Sequence, residues 1–306
     1  MSALNSSKPI SGTNTVRGML YISVTALAGS IMAAMTKYLT LTMHPFNITF
    51  YRVLFSFLSF TPLLFRHGFK PLKSDRKRLH ALRGAIQVVQ LCMGITGLKY
   101  VTIAKFTALR FTGPMFATIL TILFLGERFH MRRAAALTIG FIGAMVILRP
   151  GIIPIEFTTL LPLGSAAAWA FISIIIKRLT QTDSSVTITF YSTIFMLPLA
   201  IAVSLPVFVL PNWQELALLM AVGLLNSIGH VCRAQAFKEA DLSAVVPVEF
   251  TRLIWVSIFG FVLFNEVPEI WVWIGGIMIF SSNTYIAIRE RNFSKPNKTA
   301  SPPSND

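Results

Sequence analysis

Two ionisable side chains lie deep inside apolar stretches of this chain, and their spacing relates them. Arg110 sits in Ala104–Arg128, AKFTALRFTGPMFATILTILFLGER, and Glu249 in Ser243–Glu266, SAVVPVEFTRLIWVSIFGFVLFNE. Of 12 acidic residues, Glu249 is the only one well inside a predicted helix. A charge near the centre of a membrane-spanning helix costs roughly 2.5–3.5 kcal/mol on insertion scales, so each should face protein or a wet cavity. The chemistry open to them is holding a charged solute, passing a proton through Glu249, or pairing; Arg252, one turn from Glu249, is the nearest partner. The two positions are 139 apart (249 − 110 = 139) and each lies about seven residues into its own helix. Entering from opposite faces, they would differ in height by roughly 10 Å, a gap that a solute or water chain could bridge.

The same two stretches carry Pro114 and Pro247. Proline lacks a backbone donor, so Pro114 frees the carbonyl of Arg110, and Gly113-Pro114 reads as a kink beside the charge. Other candidates surround this pair. Arg52, one and a half turns into its helix, either contacts solute or snorkels to the interface. Tyr51 and Tyr191 could offer hydroxyls to a cavity. Trp169 and Trp255 lie away from the interfaces, where they would stack on a planar ligand or pack against lipid. Glu127 and Glu266 close their helices at opposite faces and read as capping or gating acids. Lys37 and Lys177 end helices, where positive charge suits the dipole and the interface.

These residues need elements to hold them, and the composition says which. Only 13% of 306 residues are charged and 54% are hydrophobic; the mean hydropathy is +0.66. So little polar surface could not cover a soluble domain of this size, and the class is polytopic membrane protein. The formal charge of +15 is gathered in a few loops and the tail without a nucleic-acid-binding pattern, so it reads as topology rather than as a nucleic-acid partner. Cys92 and Cys232 lie in apolar runs and form neither a disulfide framework nor a metal site.

Ten apolar segments are expected at about 18–37, 46–65, 82–98, 103–125, 133–149, 159–178, 187–209, 215–235, 242–264 and 270–288, each near the spanning length. Basic residues concentrate on the side of the 2–3, 4–5, 6–7 and 8–9 loops and the C-terminal tail, so both termini should be cytoplasmic. The chain also repeats itself. Ile48-Thr49-Phe50-Tyr51 returns as Ile188-Thr189-Phe190-Tyr191 and Lys37 as Lys177, at an offset of 140. Phe111-Thr112 returns as Phe250-Thr251 and Glu127 as Glu266, at 139. A unit of five helices is odd, so the second copy must enter the membrane from the opposite side. Such an inverted repeat places solute between the halves and alternates access by rocking them.

Tyr51-Arg52, Gly113-Pro114, Leu125-Gly126-Glu127-Arg128 and Ile139-Gly140-Phe141-Ile142-Gly143, with Glu249, Arg252 and Asn265-Glu266 in the second half, resemble the EamA-type repeat of the drug/metabolite transporter superfamily. The resemblance covers residues 18–290. It implies an all-α fold of ten transmembrane helices in two inverted repeats, 18–149 and 158–290, and the polar residues outside them read as a cytoplasmic tail (1–17) and a disordered cytoplasmic one (291–306). It also implies secondary transport of a small organic solute, with Pro247…Glu249…Arg252 resembling the branch that imports S-adenosylmethionine or riboflavin. Export of amino acids, drugs or other metabolites on the same fold stays open.

Arg52, Arg110 and Arg252 against one Glu249 favour an anionic or zwitterionic solute. A membrane-embedded enzyme would need clustered Asp, His or Cys, which this chain lacks. A sensor or scaffold would need a signalling domain. The expected setting is the plasma (inner) membrane, with a small-molecule substrate, a co-transported or exchanged proton, no cofactor, and dimerisation left open.

Overall fold

Local chemistry starts and stops the helices. In the computed structural model, which describes residues 15–67, 74–125, 131–154, 156–183, 185–239 and 248–294, they are α1 (Thr15–Thr42), α2 (Pro45–His67), α3 (Lys77–Tyr100), α4 (Ile103–Arg110), α5 (Gly113–Leu125), α6 (Met131–Leu148), α7 (Phe157–Leu179), α8 (Ser185–Ser204), α9 (Trp213–Glu239), α10 (Thr251–Phe264) and α11 (Ile270–Ser294). Pro45 opens α2, where its missing donor costs nothing. Thr102 caps α4 by accepting from the Lys105 amide at 3.3 Å. At the start of α9, Asn212 and Glu215 exchange side-chain bonds with each other's amides, a capping box at 2.8 and 2.9 Å. Asn265 takes a left-handed conformation (φ 54°) and ends α10.

Among the described residues six helical runs are long and apolar enough to cross a membrane, and three more are shorter apolar helices. The ten expected segments each meet a helix, with two corrections. Segment 187–209 is helical only to Ser204, then a 3₁₀ turn over Leu205–Val207, because Pro206 and Pro211 cannot continue an α-helix. Segment 103–125 is two helices, α4 and α5, separated at Phe111-Thr112. Glu127, Pro247 and residues 1–14 and 295–306 lie outside the described residues, while 15–17 and 291–294, expected in the tails, are helical ends of α1 and α11.

Packing repeats with the sequence. α1 packs on α9 and α10, while its counterpart α7 packs on α3 and on α4–α5; α2 meets α8, and α6 meets α11. Exchanging the two halves maps this pattern onto itself. Between α6 and α11 the match reaches single atoms. A Cβ on Gly143 would fall 2.7 Å from the Gly275 carbonyl oxygen, so glycine at these positions lets the two backbones touch. Ser282 Oγ donates to the Ala136 carbonyl at 2.5 Å. The two contacts are images of each other, since 282 − 143 and 275 − 136 both equal 139. Phe111 and Phe250, also 139 apart, touch each other directly with ring centroids at 6.0 Å. A residue in contact with its own image sits beside the symmetry axis.

Contacts between helix ends fall into two sets. One end joins Thr42 to Glu215 (2.6 Å), Asn47 and Tyr51 to the Val209 carbonyl (2.9 and 3.4 Å), Arg149 to Glu269, and Lys37 to Glu266. The other joins Ser74 and His80 to Asp183, Arg76 to the Arg178 carbonyl and Arg83 to the Ile188 carbonyl. Between them a buried core from α1, α3, α4, α5, α6, α10 and α11 includes Ala33, Leu98, Ile103, Leu109, Met115, Ile147, Leu253 and Ile279.

Candidate functional site

The break in the fourth apolar segment begins with the backbone. Thr112 Oγ1 donates to the Leu109 carbonyl at 2.7 Å, drawing off an acceptor that the helix would otherwise use. Met115 then bonds back to Thr112 rather than to Phe111. The Phe111 carbonyl, left out of the ladder, accepts from Asn283 Nδ2 at 2.6 Å. The served carbonyl is therefore that of Phe111, one residue beyond the Arg110 expected from Pro114 alone. Gly113 and Pro114 form the first turn of α5, after the break. Trp169 fits here too: a Cβ on Gly113 would lie 3.1 Å from its ring, so the missing side chain lets the indole cover the break.

α4 ends at Arg110 and thereby aims it into the bundle. A cavity of about 50 Å³ opens there, lined by α1 (Met32, Ala33, Thr36), α2 (Arg52), α3 (Gln90, Leu91, Gly94, Ile95, Leu98), α4 (Phe106, Arg110) and α10 (Arg252). Three of the expected cations thus meet in one space, from both halves of the chain. Each has a defined seat. Arg110 lies 5.8 Å from the Phe106 ring centroid, and Arg52 donates toward the Met32 sulfur at 3.8 Å. Arg252 crosses α1 at Gly29, where a Cβ would come within 3.2 Å of its guanidinium carbon; Nη2 donates to the Gly29 carbonyl at 3.3 Å. Arg252 repels both Arg52 and Arg110, and Arg52 repels Arg110.

No carboxylate lines this cavity among the described residues. Glu249 is half-buried in the short helical turn before Phe250 and is not part of the lining. Tyr51, Tyr191, Trp169 and Trp255 are not in it either. Tyr51 packs with Leu39, Met43 and Ile48 at one end of the bundle. Tyr191 stacks on His80 at the other, with centroids 4.9 Å apart. Trp255 remains 38% exposed on the outside of α10.

Sequence reasoning missed Gln90, whose Nε2 donates to the buried Ser165 Oγ at 3.1 Å, and Thr36. A glutamine in the middle of an apolar segment was the available signal for the first. It also missed the cluster at the α3 start. There Asp183 accepts from Ser74 and His80, both at 2.7 Å. Burial works to raise the Asp183 carboxyl, but those hydrogen bonds and the charge of His80 outweigh it and hold the group below its usual range. Arg83 near the start of α3 is buried, bonding the Ile188 carbonyl at 2.7 Å.

Glu266 takes a fuller part than a terminal acid. It pairs with Lys37 of α1, and its Oε2 accepts from the amide of Ile103, the first residue of α4, at 2.9 Å.

The family model for the EamA-like transporter family matches this chain twice, at residues 16–149 and 157–288. An S-adenosylmethionine uptake transporter from Rickettsia felis is 28% identical over 274 residues, covering 90% of this chain and 93% of that one. A riboflavin transporter from Rhizobium johnstonii is 30% identical over 281 residues, covering 91% and 93%. A crystal structure at 15% identity superposes with a TM-score of 0.58 over 92% of this chain and 97% of its own, a likeness of fold alone.

Proposed function

Because the chain belongs to the EamA-like transporter family, a multi-pass membrane transporter of small metabolites and not an enzyme, we propose that it is a secondary carrier importing an organic solute with an anionic group. The observation that carries this reading is the meeting of Arg52, Arg110 and Arg252 around one cavity between the repeats. Three like charges in a medium of low dielectric raise one another's cost, and an entering carboxylate or phosphate lowers it. A zwitterion fits if its carboxylate faces the guanidinium groups and its positive end points away from them. Gln90 and Thr36 add uncharged polar groups to the same lining.

The carrier works by alternating access. About 50 Å³ holds a few waters, each needing some 10–15 Å³, and lies well below the roughly 300 Å³ of a small-molecule site. Solute therefore enters only when the halves part on one side. Two inverted five-helix repeats, 18–149 and 158–290, supply that motion, supported by the exchange symmetry of the packing and by the sorting of end contacts into two sets. On this reading an even ten crossings keep both termini on one side, and the basic loops favour the cytoplasmic side of the plasma membrane. Glu249, beside the cavity helix but outside its lining, carries a coupling proton.

Proteoliposomes test the reading directly. Purified protein should concentrate at least one of riboflavin, S-adenosylmethionine or a panel of carboxylate-bearing amino acids and nucleotides. Uptake should rise with an inward proton gradient, and Glu249→Gln should erase that response. Uptake of none of them above empty vesicles would remove the carrier reading. A gradient response unchanged in Glu249→Gln would remove the proton role.

A further inference from the structure

Lys37 is only 7% exposed near the end of α1, an unusual place for an ammonium group that could have reached water. Its Nζ pairs with Glu266 and also donates to the Val101 carbonyl at 2.7 Å, with the Phe264 ring 5.8 Å away. The second Glu266 oxygen accepts from the Ile103 amide, one of the α4 donors that no helical carbonyl can serve. One carboxylate thus joins the end of α1, the turn between α3 and α4, and the end of α10, and so spans both repeats.

The tie lies directly against the cavity. Thr36 and Leu98 line it, one residue before Lys37 and three before Val101, and Phe106 lines it three residues after Ile103. The pair thus sits beside the cavity at the end of the bundle where α1 finishes. The same carboxylate caps the helix that carries Arg110.

Resting on the carrier reading above, we propose that Lys37–Glu266 is the gate at the end of the bundle where α1 finishes, and that Glu266 is a positioning residue for Arg110. Parting α1 from α10 separates the pair and uncaps α4 in the same movement. Opening this side therefore loosens the helix that presents Arg110 to solute. The closed pair is held by compensation: removing one member leaves the other buried and unbalanced.

The test needs no transported solute. In a background with Cys92→Ala and Cys232→Ala, Thr36→Cys reports cavity access to a membrane-impermeant maleimide added to either face of oriented proteoliposomes. Adding Lys37→Met or Glu266→Gln should speed labelling about tenfold from the face where α1 ends, and leave the other face slow. Lys37→Arg, which keeps the charge, should stay slow. Unchanged labelling in both Lys37→Met and Glu266→Gln overturns the gate, as does equal acceleration from both faces, which marks a merely structural tie. Because the readout is access, a failure here leaves the uptake result standing, and loss of uptake with one-sided access intact would count against the carrier reading instead.

Discussion

The two broken helices share one backbone device and differ in the charges set around it. In the first repeat Thr112 Oγ1 returns to the Leu109 carbonyl at 2.7 Å; in the second, Thr251 Oγ1 returns to the Val248 carbonyl at the same distance. Both threonines and both acceptors are 139 positions apart. Arg110 precedes its break and Arg252 follows its own, yet both reach one cavity. The carbonyls at the two breaks are answered differently. Asn283 of the second repeat serves that of Phe111, where Pro114 offers no amide, whereas the Leu253 amide serves that of Phe250 and Ser30 of the first repeat donates to the Arg252 carbonyl. The position 139 before Asn283 is Ala144. The symmetric part fixes where the chain bends, at the level of the axis. The asymmetric part lies in what answers each carbonyl, a donor from the other repeat at Phe111 and the following helical amide at Phe250.

Removing the cations should have the largest effect and should show whether both breaks serve one site. Arg110→Ala and Arg252→Ala should each lower uptake efficiency about 100-fold or more, because a lost charge-to-charge contact in a desolvated site costs about 3 kcal/mol. Near-normal uptake in either variant would assign the site to the other repeat alone. Asn283→Leu comes next. It strips the Phe111 carbonyl of its donor and should lower unfolding stability in detergent by about 1 kcal/mol, with Ala144→Ser near neutral; a neutral Asn283→Leu would erase the difference between the breaks. The smallest effect sharpens the likeness. Thr112→Val and Thr251→Val should each shift stability by about 0.5 kcal/mol and by the same amount, as each removes one local hydroxyl bond. Unequal shifts would mean that the shared device carries different loads.

Much of this arrangement is legible in the chain. The offset from Phe111-Thr112 to Phe250-Thr251 marks both breaks, and Arg52, Arg110 and Arg252 announce themselves because charge in an apolar run is costly. Glu266 reads as a capping acid, but the sequence directs it to its own side rather than to α4 of the other repeat. The pairing of Lys37 with Glu266 spans 229 residues, and no local pattern carries it. Tyr51 and Tyr191 look alike in sequence and end at opposite ends of the bundle, each absorbed by loop or ring contacts. In sequence His80 and Asp183 fall just outside the expected apolar segments, where ionisable residues are ordinary and draw no notice.

The sequence by itself determined the membrane class, the helices, the repeat and the level of the breaks, because hydropathy, proline, threonine and recurring residues act on the backbone nearest to them. Only the tertiary structure decided which buried groups meet. Apolar helix faces are nearly interchangeable to a hydrophobic environment, so the rotation and height of each helix come from close packing, at contacts such as Gly143 on Gly275 and Gly29 under Arg252. Those rotations bring three arginines to one cavity and place one carboxylate between Lys37 and the start of α4.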